Sequence, residues 1–187
     1  MSKAYIFIAD GFEDIEALAT RDTLRRAGVP VELVAIGEDP FIVSSHGLSI
    51  SADNFLDGIN PDVTDALICP GGMPGSKHLG LCKPLVKMLR SHFAQGGTVA
   101  AICAAPGTVL SQLDDIAGYE MTCFDGFEKP LTDKGVRFVK RPAVTCANVI
   151  TGRSAGYSIP FALEIVKRMC GEGKAAEVGH GLLLPTE

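Results

Sequence analysis

The sequence predicts an α/β protein, a three-layer sandwich with helices covering both faces of a mainly parallel sheet. Three observations lead there. Continuous runs of Val, Ile, Ala and Leu recur at KAYIFIA (3–9), PVELVAI (30–36), DALICPGG (65–72) and TVAAI (98–102). These runs lack the in–out alternation of a half-exposed strand, so each suits a strand buried on both faces. Helical segments separate them, and strand–helix–strand order implies parallel pairing. The 187 residues, with 47% hydrophobic and 21% charged, suit one domain spanning 1–187 with a substantial core.

The elements follow in order. After KAYIFIA, Asp10-Gly11 turns into an amphipathic helix that runs to about Ala27, and Gly28 ends it. PVELVAI is the second strand, and FIVSSHGLSIS (41–51) alternates about His46-Gly47 like a hairpin. DALICPGG is a third strand ending in a tight turn. The next segment is mostly helical from about Lys83 and closes at Gly96-Gly97. TVAAI stops at Cys103, a short helix follows, and 119–140 shows no clear periodicity. AVTCANVITG (143–152) gives one or two strands about Asn148, a helix starts near Ser158, and GKAAEVGHGLLL forms a terminal helical segment.

Composition excludes several classes. A net charge of −5 argues against a nucleic-acid partner. The first apolar run is six residues long and ends at Asp10, and no run approaches the ~20 residues that span a bilayer. A cytoplasmic protein without a membrane partner is expected. Four histidines (His46, His78, His92, His180) lack metal-ligand spacing, so no metal is expected and solvated or capping roles suit them. His180 remains a remote candidate for pairing with a cysteine. Gly171-x-Gly173-x-x-Ala176 follows a helix rather than a strand, which rejects a dinucleotide site, and no P-loop is present. The six cysteines lie at least 13 residues apart, and five are expected to act as small buried hydrophobes.

Cys103 is the exception. In a parallel sheet the ligand site lies beyond the carboxyl ends of the strands, which brings ADGFEDIE, CPGGMPG and ICAAP to one rim. A residue between a buried strand and a helix occupies a sharp, strained turn, a nucleophile elbow. The following helix N-terminus is expected to lower the thiol pKa. Asp10-x-x-Glu13 resembles a capping box, which gives Glu13 a structural role. On a helical wheel with Ala17 at zero, Glu16 falls near about 260°, beside Thr20 and away from the charged arc, which leaves two readings: an acid facing inward at the rim of Cys103, or a first-turn acid complementing the helix dipole. Ile15 and Leu18 sit within the charged arc and hint at a partner surface such as a second copy.

Taken together and in order, ADGFEDIEAL, CPGGMPGS, VAAICAAP and VITGRSAGYSIPFAL resemble the ThiJ/PfpI superfamily over essentially the whole chain. The most similar branch is that of the parkinsonism-associated deglycase and its bacterial relatives, some labelled as thiazole-monophosphate biosynthesis enzymes. The resemblance implies a flavodoxin-like fold related to class I glutamine amidotransferases, and usually a homodimer. It implies Cys103 as the reactive elbow cysteine and Glu16 as the acid that hydrogen-bonds it. Gly72 and Ala104 match backbone donors facing the reacting oxygen, with Gly71 beside them, and Arg153 matches an arginine that orders anions or a loop. Three departures stand out: Ala104 replaces the histidine of the protease-like branch, MTCFDGFEKP lacks the histidine of animal deglycases, and Ser45-His46 replaces an arginine.

The function these readings imply is a cofactor-free glyoxalase or deglycase, with a small aldehyde or glycated molecule as partner. The alternatives are a redox-responsive sensor or chaperone linked to oxidative stress, then a Cys hydrolase or amidase, or a protein associated with thiamine biosynthesis.

Overall fold

A computed structural model describes residues 2–185. Its elements are β1 (Ala4–Ile8), α1 (Asp14–Arg26), β2 (Val31–Ala35), β3 (Phe41–Val43), β4 (Ser49–Ser51), β5 (Asn54–Phe55), β6 (Ala66–Cys69), α2 (Gly75–Leu81), α3 (Lys83–Ala94) and β7 (Thr98–Ile102). They continue with α4 (Ala105–Thr108), β8 (Glu120–Met121), α5 (Lys129–Thr132), β9 (Arg137–Phe138), β10 (Ala143–Cys146), β11 (Val149–Gly152), α6 (Ser158–Cys170) and α7 (Glu172–Gly181).

Seven strands form the main sheet in the order β10-β11-β7-β6-β1-β2-β5. All neighbours are parallel except the β10–β11 hairpin. Period-two alternation divides the core: Tyr5, Phe7, Val99 and Ala101 enter one apolar cluster, while Ala4, Ile6, Ile8, Ala100 and Ile102 enter the other. Leu85 and Leu89 of α3 cover the first face. Ala17 and Leu24 of α1 cover the second, with Phe161 and Ile165 of α6. This is the predicted three-layer α/β sandwich.

Four sequence expectations need correction. Asn54–Phe55 adds a short edge strand beside β2, too brief to leave a periodic signal. The Asp10–Glu13 capping box does not form, because Gly11 turns the chain at φ 85° and α1 starts later. Glu13 is itself the N-cap and accepts from the Glu16 amide at 2.8 Å, while Asp10 accepts from the Val43 amide. His92 is not solvated: it is buried, with Nε2 3.1 Å from the Asp65 carbonyl. Of the cysteines other than Cys103, only Cys69 and Cys123 are fully buried, since Cys82 and Cys146 are half-buried and Cys170 is exposed.

The illegible stretch 119–140 holds β8 and β9, paired in parallel over two residues, and the single turn of α5. Among the described residues, no helix is long and apolar enough to cross a membrane.

Candidate active site

The strand order places the site. From β1 the chain moves outward to β2 and β5, whereas β6, β7 and β11 lie on the other side, so the direction reverses between β1 and β6. A crevice opens at such a switch point, beyond the carboxyl ends of the strands. β6 ends at Cys69 and β7 at Ile102, with Cys69 in register with Ala101. Gly71 and Cys103 therefore emerge side by side.

Cys103 has φ 64°, in the left-handed region where a side chain other than glycine is strained. Two backbone bonds hold it there: its amide donates to the Gly152 carbonyl at 3.0 Å, and its carbonyl accepts from the Phe124 amide at 2.8 Å. Ala104, Ala105 and Pro106 follow as a buried, close-packed turn. This is the predicted elbow, and the sulfur at its tip is half-buried.

Glu16 comes from the first turn of α1 and is 1% exposed. Its Oε2 accepts from the Gly71 amide at 2.7 Å. Oε1 is buried with no conventional partner, and the carboxyl interacts with the Cys103 thiol. Gly71 leaves no room for a side chain, since a Cβ there would lie 2.6 Å from Glu16 Oε2 and 2.7 Å from Cys103 Cβ. Gly72 is equally constrained, with φ 84° and the Glu13 amide and Gly11 carbonyl each 2.4 Å from a Cβ.

The electrostatics differ from the sequence expectation. Burial pushes the Glu16 carboxyl up to about 7, against the opposing effect of its Cys103 and Gly71 hydrogen bonds. The Cys103 thiol is pushed up to about 12, by burial first and then by the Glu16 carboxylate, while the Ala104 and Gly72 amides act to lower it. The expected lowering by a helix end does not prevail, because burial and the neighbouring Glu16 carboxylate outweigh the two amides. The two groups instead act as a pair that sheds one proton near neutrality and the second far into the alkaline range.

The proposed donors separate into two sets. The amides of Gly72 and Ala104 face the sulfur. That of Gly71 is engaged by Glu16 and positions the acid, so it is not a donor to a reacting oxygen. Arg153 donates through Nη2 to Asp125 at 2.7 Å, and its Nη1 is buried without a partner. It therefore orders the 122–128 turn beside the elbow. Asp125, which also pairs with Lys140, escaped the sequence reading, whereas Phe124 or a neighbour is expected where animal deglycases carry a histidine. Among the described residues no histidine hydrogen-bonds to Cys103, and His46 instead meets Asp14 at 3.0 Å. A cavity of about 510 Å³ at the end of β2, lined by Ile36, Phe55, Leu56, Cys82 and Met88 among others, includes neither Cys103 nor Glu16.

Known proteins share this arrangement of strands and segments. Protein dj-1beta of Drosophila melanogaster is 34% identical over 98% of each chain. A Caenorhabditis elegans protein named glutathione-independent glyoxalase DJR-1.2 is 30% identical over 87% of this chain and 85% of its own. Deglycase PfpI of Pyrococcus furiosus is 30% identical over 88% of this chain and 98% of its own. The chain spans only 41% of Protein DJ-1 homolog B of Arabidopsis thaliana, at 31% identity. Among solved structures, a mutant DJ-1 superfamily protein from Salmonella typhimurium has a TM-score of 0.90 at 29% identity, covering 100% of both chains. Drosophila DJ-1beta gives 0.90 at 32%, with the same coverage. The model of the DJ-1/PfpI family matches residues 2–168, and with that span, this fold and these relatives the chain belongs to the DJ-1/PfpI family.

Proposed function

We propose that the protein is a cofactor-free, glutathione-independent glyoxalase or deglycase acting on methylglyoxal or its early adducts. One observation carries the reading: a strained elbow thiol lies within hydrogen-bond reach of a buried acid, and two backbone amides face the sulfur. Relatives named glyoxalase and deglycase at 30% identity support it.

The pair suits the chemistry. In its singly ionised form, the tautomer with Cys103 as thiolate and Glu16 protonated attacks the aldehyde carbon, forming a C–S bond. The developing oxyanion meets the Gly72 and Ala104 amides and takes the Glu16 proton, which gives a hemithioacetal. The Glu16 carboxylate then removes the hydrogen of that carbon, the electron pair shifts onto the ketone oxygen, and the proton of the adjacent hydroxyl passes to that oxygen through the enediol. Returning the proton to the second carbon yields a thioester, and water releases lactate and restores the thiol. Overall, methylglyoxal and water become lactate with no external oxidant or reductant.

The test is lactate release from methylglyoxal without added glutathione. It should be lost in both Cys103→Ser and Glu16→Gln, and full activity in both variants would overturn the assignment.

A second reading rests on the same amides, which suit the oxygens of an oxidised sulfur. Two molecules of peroxide would convert the thiolate to a sulfinate, releasing two of water. A gain of two oxygens at Cys103 under mild oxidation, together with negligible turnover, would favour sensing over catalysis.

A homodimer fits the surface. Ile15 of α1 and Phe41 and Val43 of the β3–β4 hairpin are 55%, 64% and 45% exposed. They lie on segments tied together by Asp14, which accepts from Ser44 Oγ at 2.7 Å and meets His46. Such a joined apolar surface suits a second copy.

A further inference from the structure

Two large apolar side chains border the elbow, and the proposed chemistry uses neither. Met73 directly follows Gly72, whose amide faces the Cys103 sulfur, and it is 47% exposed. Phe124 gives its amide to the Cys103 carbonyl at 2.8 Å and is likewise 47% exposed. Two segments distant in sequence thus each bring an open apolar residue next to a group that contacts the nucleophile.

Both are held in place. Ser76 Oγ donates to the Met73 sulfur at 3.4 Å. The Phe124 ring packs edge-on against Phe127, with centroids 6.5 Å apart. The Phe127 carbonyl presses so closely on α4 that a Cβ at Gly107 would lie 2.1 Å from it, which seats the turn on the elbow helix. On its outer side, Asp125 is bound by Arg153 and Lys140. Asp125 is thus engaged by two cations, and the ring and the thioether are the large exposed apolar groups of the two segments.

Resting on the glyoxalase reading, we propose that Phe124 and Met73 determine specificity. They select α-oxoaldehydes whose ketone carries an aryl or bulky apolar group over those carrying a methyl. An aromatic ring stacks or packs edge-on against Phe124 and meets the polarisable Met73 sulfur, contacts that a methyl group is too small to make. The reaction is otherwise unchanged: phenylglyoxal and water would give mandelate through the same hemithioacetal, enediol and thioester.

The experiment measures kcat/KM for phenylglyoxal, by mandelate formation, and for methylglyoxal, by lactate formation, in one preparation of each protein. The wild type should favour phenylglyoxal by about tenfold or more, the discrimination expected of an added apolar contact. Phe124→Ser and Met73→Gln should each move the ratio toward unity, mainly through KM. A folding loss lowers both rates and leaves the ratio unaltered, so the ratio reports on the rim alone. Equal wild-type efficiencies, or a ratio unchanged in both variants, would overturn the specificity proposal while leaving the glyoxalase reading intact. If neither compound is turned over, the glyoxalase reading fails and takes this inference with it.

Discussion

The Gly71 amide donates to Glu16 Oε2 across 2.7 Å, joining residues 55 apart in sequence within the buried rim of the sheet. That bond fixes the acid against α1, and the missing side chain at Gly71 is what lets acid and thiol meet. In Gly71→Ala a methyl group would lie 2.6 Å from Glu16 Oε2 and 2.7 Å from Cys103 Cβ. Cys103 is already strained and cannot yield cheaply, so the acid is displaced. We expect about 1–3 kcal/mol of destabilisation from overpacking. Lactate formation should fall by about 100-fold, the cost of an ångström-scale misplacement. Urea unfolding and lactate assays check the two effects separately.

Glu16 should also make folding stability depend on pH in a particular direction. Below its unfolded value of 4.5 the carboxyl is protonated in both states, so its burial carries no ionisation penalty. Between 4.5 and about 7 only the unfolded chain releases the proton, and the folded state loses stability as pH rises. At about 1.4 kcal/mol per pH unit, that interval is on the order of 3 kcal/mol. Glu16→Gln removes the ionisation. The variant should gain on the wild type by up to about 3 kcal/mol between pH 4 and pH 8. Unfolding free energies of both proteins at the two pH values test this, and a difference independent of pH would contradict it.

The surface of α1 and the β3–β4 hairpin offers a third prediction. Ile15→Glu places a charge on the exposed apolar face while leaving the buried Ala17 and Leu24 side of the helix untouched. Light scattering coupled to size exclusion should show the wild type as a dimer and the variant as a monomer at micromolar concentration. A monomeric wild type would remove the homodimer from the account.

Much of this was legible in the sequence because it depends on burial. Continuous apolar runs marked β1, β2, β6 and β7, and the abrupt stop at Cys103 marked the elbow. The inward angle of Glu16 on its helix wheel marked it as a candidate, and the family resemblance paired it with Cys103. What stayed hidden depends on tertiary contact. β8 and β9 are two-residue pairs, and the 119–140 region is held by bonds such as the Thr122 amide to Thr151 Oγ1 at 3.0 Å, not by periodicity. The role of Asp125 arises only when Arg153 and Lys140 arrive from β11 and the β9–β10 connection. The direction of the thiol's shift was missed because the sequence shows that a helix follows Cys103 but not how deeply the sulfur is buried beside the Glu16 carboxylate.

The central claim, that Cys103 and Glu16 share one proton near neutrality, is tested most directly by the rate of Cys103 alkylation against pH, mapped by peptide mass spectrometry. In the wild type the rate should rise with a midpoint near 7, as the pair sheds its first proton, and then stay level through pH 9. In Glu16→Gln that midpoint should vanish, leaving a single titration of the thiol. An identical profile in the two proteins would contradict the account.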